Sequence, residues 1–166
     1  PFHSWVPDVY QGAPTPVTAF MAIATKFAAF GALGRLLTLV VPMNDVDTWK
    51  LVIAIVAAVS MAYGAIVAIA QRDVKRLIAY SSIGHAGFIL AAFVGSTDGV
   101  FTVAGLEITA MSAAIVYLLA YGLATIGAFA VVTLVRDKNG KEATDFDSWA
   151  GVCLLYTSPS PRDRQK

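Results

Sequence analysis

Lys26 is the residue whose type and position most clearly suggest chemistry. It lies in the middle of an apolar stretch that runs from about Val17 to Val41. A Lys at the centre of a transmembrane helix costs ~2.5–3.5 kcal/mol to insert, and burial disfavours the charged amine, which suits such a Lys to gaining and losing a proton. The alternative is that the side chain snorkels to the membrane surface. Because ~15 Å separates Lys26 from either end of the stretch, the sequence favours a proton-relay role.

His85 is a second candidate relay group. It lies in another apolar stretch, with Ser81 one helical turn earlier and Ser82 beside Ser81. A hydroxyl four residues before a His can hydrogen-bond a ring nitrogen, and imidazole titrates near physiological pH. The same pattern suits a neutral packing residue, and the residue types leave both readings open. Ser81 and Ser82 are candidate channel-lining residues.

His3 is the third candidate relay group. The irregular segment Pro1–Asp8 around it contains two Pro and one Trp, which is typical of a loop or of the end of a broken helix. Broken helices occur at membrane depth where they line a polar cavity. An interfacial His without a role is the alternative.

Three further residues are candidates for lining a channel. Tyr117 and Tyr121 lie one turn apart in the last apolar stretch, and Glu107 lies where that stretch begins. Aromatic packing is the favoured reading for the two tyrosines. A carboxylate that stabilises the helix dipole is the favoured reading for Glu107.

Four apolar stretches must position these residues: about 17–41, 51–70, 77–94 and 108–135. Each approaches or exceeds the ~20 residues that a transmembrane helix needs, and none shows the alternation of a strand. The chain is 57% hydrophobic and only 14% charged, and its charges are confined to short islands. The sequence therefore predicts an all-α, polytopic bundle of about four transmembrane helices.

The charged turns predict how the bundle is oriented. The turn with Arg72, Lys75 and Arg76 and the loop from Arg136 to Trp149 are basic, whereas the turns on the opposite side contain one Lys between them. The positive-inside rule places the two basic segments in the cytoplasm. Residues 1–16 are then a cytoplasmic-side loop after a broken helix.

The sequence offers no chemistry of a soluble enzyme. Cys153 is the single Cys, and no phosphate-binding loop, metal-ligand spacing or nucleophile elbow is present. We therefore expect no catalytic residue, no metal site and no cofactor site in this chain. A net charge of +1 gives no reason to expect nucleic-acid binding.

The two ends of the chain differ from the rest. Because Pro1 is not an initiator Met, we expect an internal fragment. Residues 153–166 read CLLYTSPSPRDRQK, which resembles translated sequencing-adapter read-through; a genuine disordered tail is the alternative. We expect residues 153–166 to be non-native or disordered.

Two segments resemble a known family. Residues 1–37, PFHSWVPDVYQGAPTPVTAFMAIATKFAAFGALGRLL, and residues 73–90, DVKRLIAYSSIGHAGFIL, are similar to the antiporter-like membrane subunits of bacterial NADH-quinone oxidoreductase, respiratory complex I. The continuation DVYQGAPTPVT resembles the subunit N group, whose mitochondrial counterpart is NADH dehydrogenase subunit 2. The likeness extends to about Trp149.

This resemblance implies an antiporter-like fold of about fourteen helices, of which the chain would contain the eighth to the eleventh. It places the family's central-axis Lys on Lys26, the family's Pro-Phe-His histidine on His3, and its Ser-Ser-x-x-His on Ser81, Ser82 and His85. The family's fifth-helix Glu and its seventh- and twelfth-helix Lys are outside this chain, so no complete active site is expected here.

The function implied is that of a proton-translocating, non-redox membrane subunit of the NADH:quinone oxidoreductase translocase, which couples quinone reduction to proton pumping through a mid-membrane Lys. NADH, FMN, iron–sulfur clusters and quinone would belong to the whole complex. The partners would be the other membrane subunits and the lipid bilayer of a bacterial plasma (inner) membrane. The alternatives are a Mrp-type cation/proton antiporter subunit and a purely structural membrane segment.

Overall fold

The computed structural model describes residues 3–39, 46–95, 100–103, 106–136 and 142–149. The elements within these ranges follow one another along the chain. They are α1 (Val6–Gly12), α2 (Thr15–Leu39), α3 (Val46–Ile69), α4 (Val74–Val94), β1 (Val100–Val103), β2 (Leu106–Thr109), α5 (Ala110–Leu134) and α6 (Phe146–Trp149).

Four helices form the bundle, and each is long and apolar enough to cross a membrane: α2, α3, α4 and α5. This confirms the predicted all-α transmembrane architecture. The four apolar stretches at 17–41, 51–70, 77–94 and 108–135 correspond to these helices in order. The predicted and observed bounds differ mostly at the helix starts, because polar residues such as Asp47 and Lys75 occupy the first turn of a helix.

The starts of the helices have clear local causes. The Asp73 carboxylate accepts a hydrogen bond from the Arg76 N–H at 3.0 Å, and the Thr109 hydroxyl accepts one from the Ser112 N–H at 3.2 Å. These caps satisfy amide groups that the first turns of α4 and α5 would otherwise leave unpaired. Pro7 lies in the first turn of α1, where a missing N–H removes no helical bond.

The N-terminal segment differs from the loop predicted for residues 1–16. Val6–Gly12 form α1, which packs against α4 and buries Val6, Pro7 and Tyr10. The apolar contacts of these three side chains stabilise the helix. The sequence did not predict it, because two Pro residues within Pro1–Asp8 are typical of a loop.

A short antiparallel hairpin, β1–β2, joins α4 to α5 and was not predicted. Glu107 lies in β2, opposite Thr102, so the prediction that it begins the last transmembrane helix is wrong. The N-cap of α5 is Thr109 instead. Because Glu107 is not in the first turn of α5, the interpretation that its carboxylate stabilises the helix dipole is also wrong.

Two apolar clusters give the bundle its core. The first cluster joins α1, α2, α4 and α5 and consists of Val6, Tyr10, Ala22, Ala79 and Phe129. The second lies later in α2 and α4 and nearer the start of α5, and it consists of Ile89, Phe93, Ala114 and Leu118, with Phe30 and Leu33 packed against it. Lys26 and Ser82 lie between the two clusters along α2 and α4.

Helices α3 and α4 approach each other very closely through small residues. A Cβ added at Gly64 would lie 2.6 Å from the backbone N of Gly84 and 2.8 Å from the carbonyl O of Tyr80. A Cβ at Gly87 would lie 2.8 Å from the carbonyl O of Ala57. Glycine is therefore required at both contacts, as in other membrane helices whose backbones touch.

Some predicted features lie outside the described residues. They are the tail at 153–166, the basic residues Lys138 and Lys141, and most of the turn between α2 and α3.

The close contact of α3 with α4 predicts the effect of Gly64→Ala. The new methyl would meet backbone atoms that cannot move without separating the helices, so we expect a loss of ~1–3 kcal/mol of stability. Thermal unfolding of the full-length protein in detergent measures this. Gly127→Ala on α5 is the matched control, because its Cβ meets nothing within 4 Å. Equal unfolding temperatures for the two variants would contradict the close contact.

Candidate functional site

Three helices converge on the ammonium group of Lys26. Its Nζ donates to the Ser82 hydroxyl of α4 at 2.6 Å and to the Tyr121 hydroxyl of α5 at 3.0 Å. It also lies 4.3 Å from the centroid of the Tyr121 ring. Lys26 does not snorkel to an end of α2, because the Ser82 and Tyr121 hydroxyls hold its amine at mid-helix.

The surroundings of this ammonium strengthen its polar contacts. The two apolar clusters lie on either side of the level that Lys26 shares with Ser82 and Tyr121. A hydrogen bond to a charged group contributes ~1.5–3 kcal/mol, and a cation over an aromatic ring ~0.5–2 kcal/mol. Together these contacts offset the cost of placing the Lys there.

His85 lies beside the same tyrosine. Its ring centroid is 4.6 Å from that of Tyr121, and its Nδ1 lies 2.5 Å from the Tyr117 hydroxyl. The hydroxyl partner of His85 is therefore Tyr117 on α5 and not Ser81 on its own helix. Which of the two groups donates depends on the imidazole tautomer.

Two cavities flank the Lys26–Tyr121 contact. The cavity that we call the His85 cavity has a volume of about 690 Å³, and its polar lining residues are Ser81, His85, Tyr117, Tyr121 and Thr125. The second, called the His3 cavity, has a volume of about 390 Å³, and its polar lining residues are His3, Tyr10, Thr25, Lys26 and Ser82.

His3 faces Lys26 across the His3 cavity. The short helix α1 runs beside α4 and brings the turn that contains His3 into this position. The Nδ1 of His3 is buried, and among the described residues it has no hydrogen-bond partner. An imidazole with a buried, unsatisfied nitrogen that shares a cavity with a Lys is a suitable partner for proton exchange.

Sequence reasoning thus selected most of the residues that meet at this level. Lys26, His3, His85, Ser81, Ser82, Tyr117 and Tyr121 line the two cavities. Packing alone does not describe the tyrosines, because both hydroxyls are hydrogen-bonded. Glu107 belongs to the α4–α5 hairpin, and its side chain lies outside the part of the chain that the structure describes. Within the described ranges, no cluster of three His, Cys, Asp or Glu side chains could hold a metal ion.

Sequence reasoning missed a polar cluster at one end of the bundle. Lys75, only 3% exposed, donates to a Glu142 carboxylate oxygen at 2.9 Å and to the Ala13 carbonyl at 3.2 Å. The Thr15 hydroxyl donates to the same carboxylate. We call Lys75, Glu142 and Thr15 the end cluster. The sequence had counted Lys75 only as a basic loop residue, and no local pattern relates it to Glu142.

Backbone hydrogen bonds attach the segment after α5 to this end. The Val74 N–H donates to the Thr144 carbonyl at 2.7 Å, and the Phe146 N–H donates to the Arg72 carbonyl at 3.1 Å. The α3–α4 turn, the start of α2 and the segment after α5 therefore lie at the same end. This agrees with the alternation that the charged turns predicted.

A family model described as "NADH:quinone oxidoreductase/Mrp antiporter, TM" matches residues 1–153. Among similar proteins is NADH-quinone oxidoreductase subunit N of Rhodococcus opacus (strain B4), 55% identical over 152 residues that cover 92% of this chain and 26% of that protein. NADH-quinone oxidoreductase subunit N 3 of Streptomyces griseus is 58% identical over 153 residues, and the match covers 92% of this chain and 25% of that protein.

A third relative is NADH-quinone oxidoreductase subunit N of Thermobifida fusca (strain YX), which is 50% identical over 161 residues; the match covers 96% of this chain and 27% of that protein. The chain therefore spans about a quarter of the length of the curated relatives it matches.

The end cluster predicts a loss of stability in Glu142→Gln, because buried Lys75 loses its counter-charge. We expect the free energy of unfolding to fall by about 2 kcal/mol. This is less than the ~3–5 kcal/mol lost when a fully buried ion pair is broken, because the Glu142 side chain is 24% exposed. Thermal unfolding of the full-length protein measures this. Asp147→Asn in the same segment is the control, since its side chain is exposed; an equal effect in both variants would argue against the end cluster.

The pH dependence of the same variant provides a second measurement. Hydrogen bonds from Thr15 and Lys75 hold the pKa of Glu142 below its ordinary value of 4.5. The contribution of Glu142 to stability is therefore present above the unfolded-state pKa and is lost as the pH falls through the lower folded-state pKa. The difference in unfolding temperature between wild type and Glu142→Gln should persist at neutral pH and shrink in acid.

Proposed function

The chain belongs to the NADH:quinone oxidoreductase/Mrp antiporter family of transmembrane proteins, and we propose that it forms part of a proton-translocating membrane subunit of a bacterial NADH:quinone oxidoreductase. Relatives at 48–58% identity are named as subunit N of that enzyme, and this supports the assignment. The structural observation that carries it is the position of the Lys26–Tyr121 contact between two cavities, each with a histidine.

In the proposed mechanism, the Lys26 amine carries the proton. A neutral Nζ accepts a proton from the His3 cavity or the His85 cavity, and the charged ammonium is stabilised by the Ser82 hydroxyl at 2.6 Å. Release to the opposite cavity returns the amine to its neutral form. Net transfer needs a change in the surroundings that alters which form is favoured, and each tenfold change in that equilibrium corresponds to ~1.4 kcal/mol.

The driving change comes from quinone reduction in other subunits, which we propose hold NADH, FMN, the iron–sulfur clusters and quinone. This chain contributes proton transfer alone, with no redox group of its own. Its partners are the other membrane subunits and the lipid of a bacterial plasma membrane. The end cluster faces the cytoplasm, as the positive-inside rule requires for the two basic segments.

A Mrp-type cation/proton antiporter subunit is the second candidate, because the matching family description includes it. The names of the similar proteins favour the NADH-quinone oxidoreductase. The genes beside the full-length reading frame discriminate the two. Genes for redox subunits support the oxidoreductase, whereas a compact antiporter operon without them contradicts it.

Lys26→Met tests the proposed relay. The variant keeps the length of the side chain but cannot bind a proton, and a positioned proton-transfer group contributes ~10²–10⁴ in rate. We expect less proton translocation, measured as NADH-driven dye quenching in membrane vesicles that contain the full-length protein in its complex. NADH oxidation with ferricyanide as acceptor controls for assembly.

Lys50→Met at the start of α3 is the matched control for loss of a lysine, and it should pump as wild type does. Unchanged translocation in Lys26→Met would leave the purely structural reading of this segment as the better one.

A further inference from the structure

Tyr121 touches both proton-carrying candidates. Its hydroxyl accepts a hydrogen bond from Lys26 at 3.0 Å, and its ring centroid is 4.6 Å from that of His85. Among the described residues, no hydrogen bond joins Lys26 to His85 directly. We propose that Tyr121 controls proton exchange between Lys26 and the His85 cavity, and that its hydroxyl is the group through which the exchange passes. This inference rests on the proposed function of Lys26.

The two cavities support this position for Tyr121. Lys26 lines the His3 cavity and Tyr121 lines the His85 cavity, and within the described part of the chain no residue lines both. The hydrogen bond between Lys26 and Tyr121 therefore crosses the boundary between them. A proton that leaves Lys26 for His85 meets the Tyr121 side chain first.

The chemistry of a phenol suits this place. A tyrosine hydroxyl both donates and accepts, so it can accept from a charged Lys26 and donate to a neutral one. In a transfer toward His85, an N–H bond of Lys26 breaks and a new O–H bond forms at the Tyr121 oxygen. The original O–H bond of Tyr121 breaks, and its proton passes to an unprotonated ring nitrogen of His85 in the His85 cavity. Lys26 becomes neutral, His85 becomes charged, and the phenol is neutral before and after the step.

Packing alone does not account for this geometry. Ring contacts explain why Tyr121 lies near His85, but a phenylalanine would make them equally well. The feature that requires a tyrosine is the hydroxyl directed at the Lys26 amine, with the amine also above the ring at 4.3 Å from its centroid. The test must therefore separate the hydroxyl from the ring.

Tyr121→Phe removes the hydroxyl and keeps the ring. The variant is measured in the full-length protein within its complex, by NADH-driven proton translocation and by ferricyanide reduction as the assembly control. We expect Tyr121→Phe to lose as much translocation as Lys26→Met. Tyr63→Phe on α3 is the hydroxyl-deletion control and should pump normally.

A double-mutant cycle adds a result that a structural role would not produce. Because Tyr121 is proposed to act between Lys26 and His85, Tyr121→Phe combined with His85→Ala should lose no more than the larger single loss. Additive losses would overturn the inference, as would full translocation in Tyr121→Phe.

The outcomes separate this inference from the proposed function. If Lys26→Met pumps normally, the relay itself is wrong, whatever Tyr121 does. If Lys26→Met is impaired while Tyr121→Phe is not, the relay stands and the role of Tyr121 falls.

Discussion

A single ammonium group in the apolar middle of the bundle constrains the rest of the structure. Lys26 can remain at mid-helix only where other helices supply polar groups, and the Ser82 and Tyr121 hydroxyls do so from α4 and α5. The apolar clusters on both sides confine the polar groups to a short segment of the bundle around Lys26. Its polar groups therefore interact with one another in a medium where electrostatic interactions are strong.

The position of α4 is the condition for this convergence, because α4 carries both Ser82 and His85. Glycine contacts hold it against α3, and Lys75 in the end cluster ties its first turn to Thr15 and Glu142. The glycine contacts are close backbone packing in the middle of α4, whereas the Lys75 contacts are polar and lie in its first turn. Small changes at either place would move the Ser82 hydroxyl relative to Lys26.

The arrangement also explains how one chain can hold several titratable groups without joining them into one open path. His3 and Lys26 line one cavity, and His85 lines the other, with the Tyr121 side chain between them. Under the proposed function, a channel open to both sides would let protons return down their gradient, whereas a boundary formed by the Lys26–Tyr121 hydrogen bond can open and close with the charge on Lys26.

Length and hydropathy were enough to predict the four membrane helices, because both act locally and need no partner. The sequence also indicated Lys26, since a charge in the middle of an apolar run is costly wherever the helix packs. His3, Ser82 and His85 were selected by their residue types and by the family resemblance together. Glu107 and α1 were misjudged because strand pairing and burial against α4 overrode local signals. Helix packing, and not the residue pattern, brings Tyr121 to Lys26, Tyr117 to His85 and Glu142 to Lys75. These pairs lie 95, 32 and 67 residues apart, and contacts across such separations depend on how helices pack, which residue spacing does not encode.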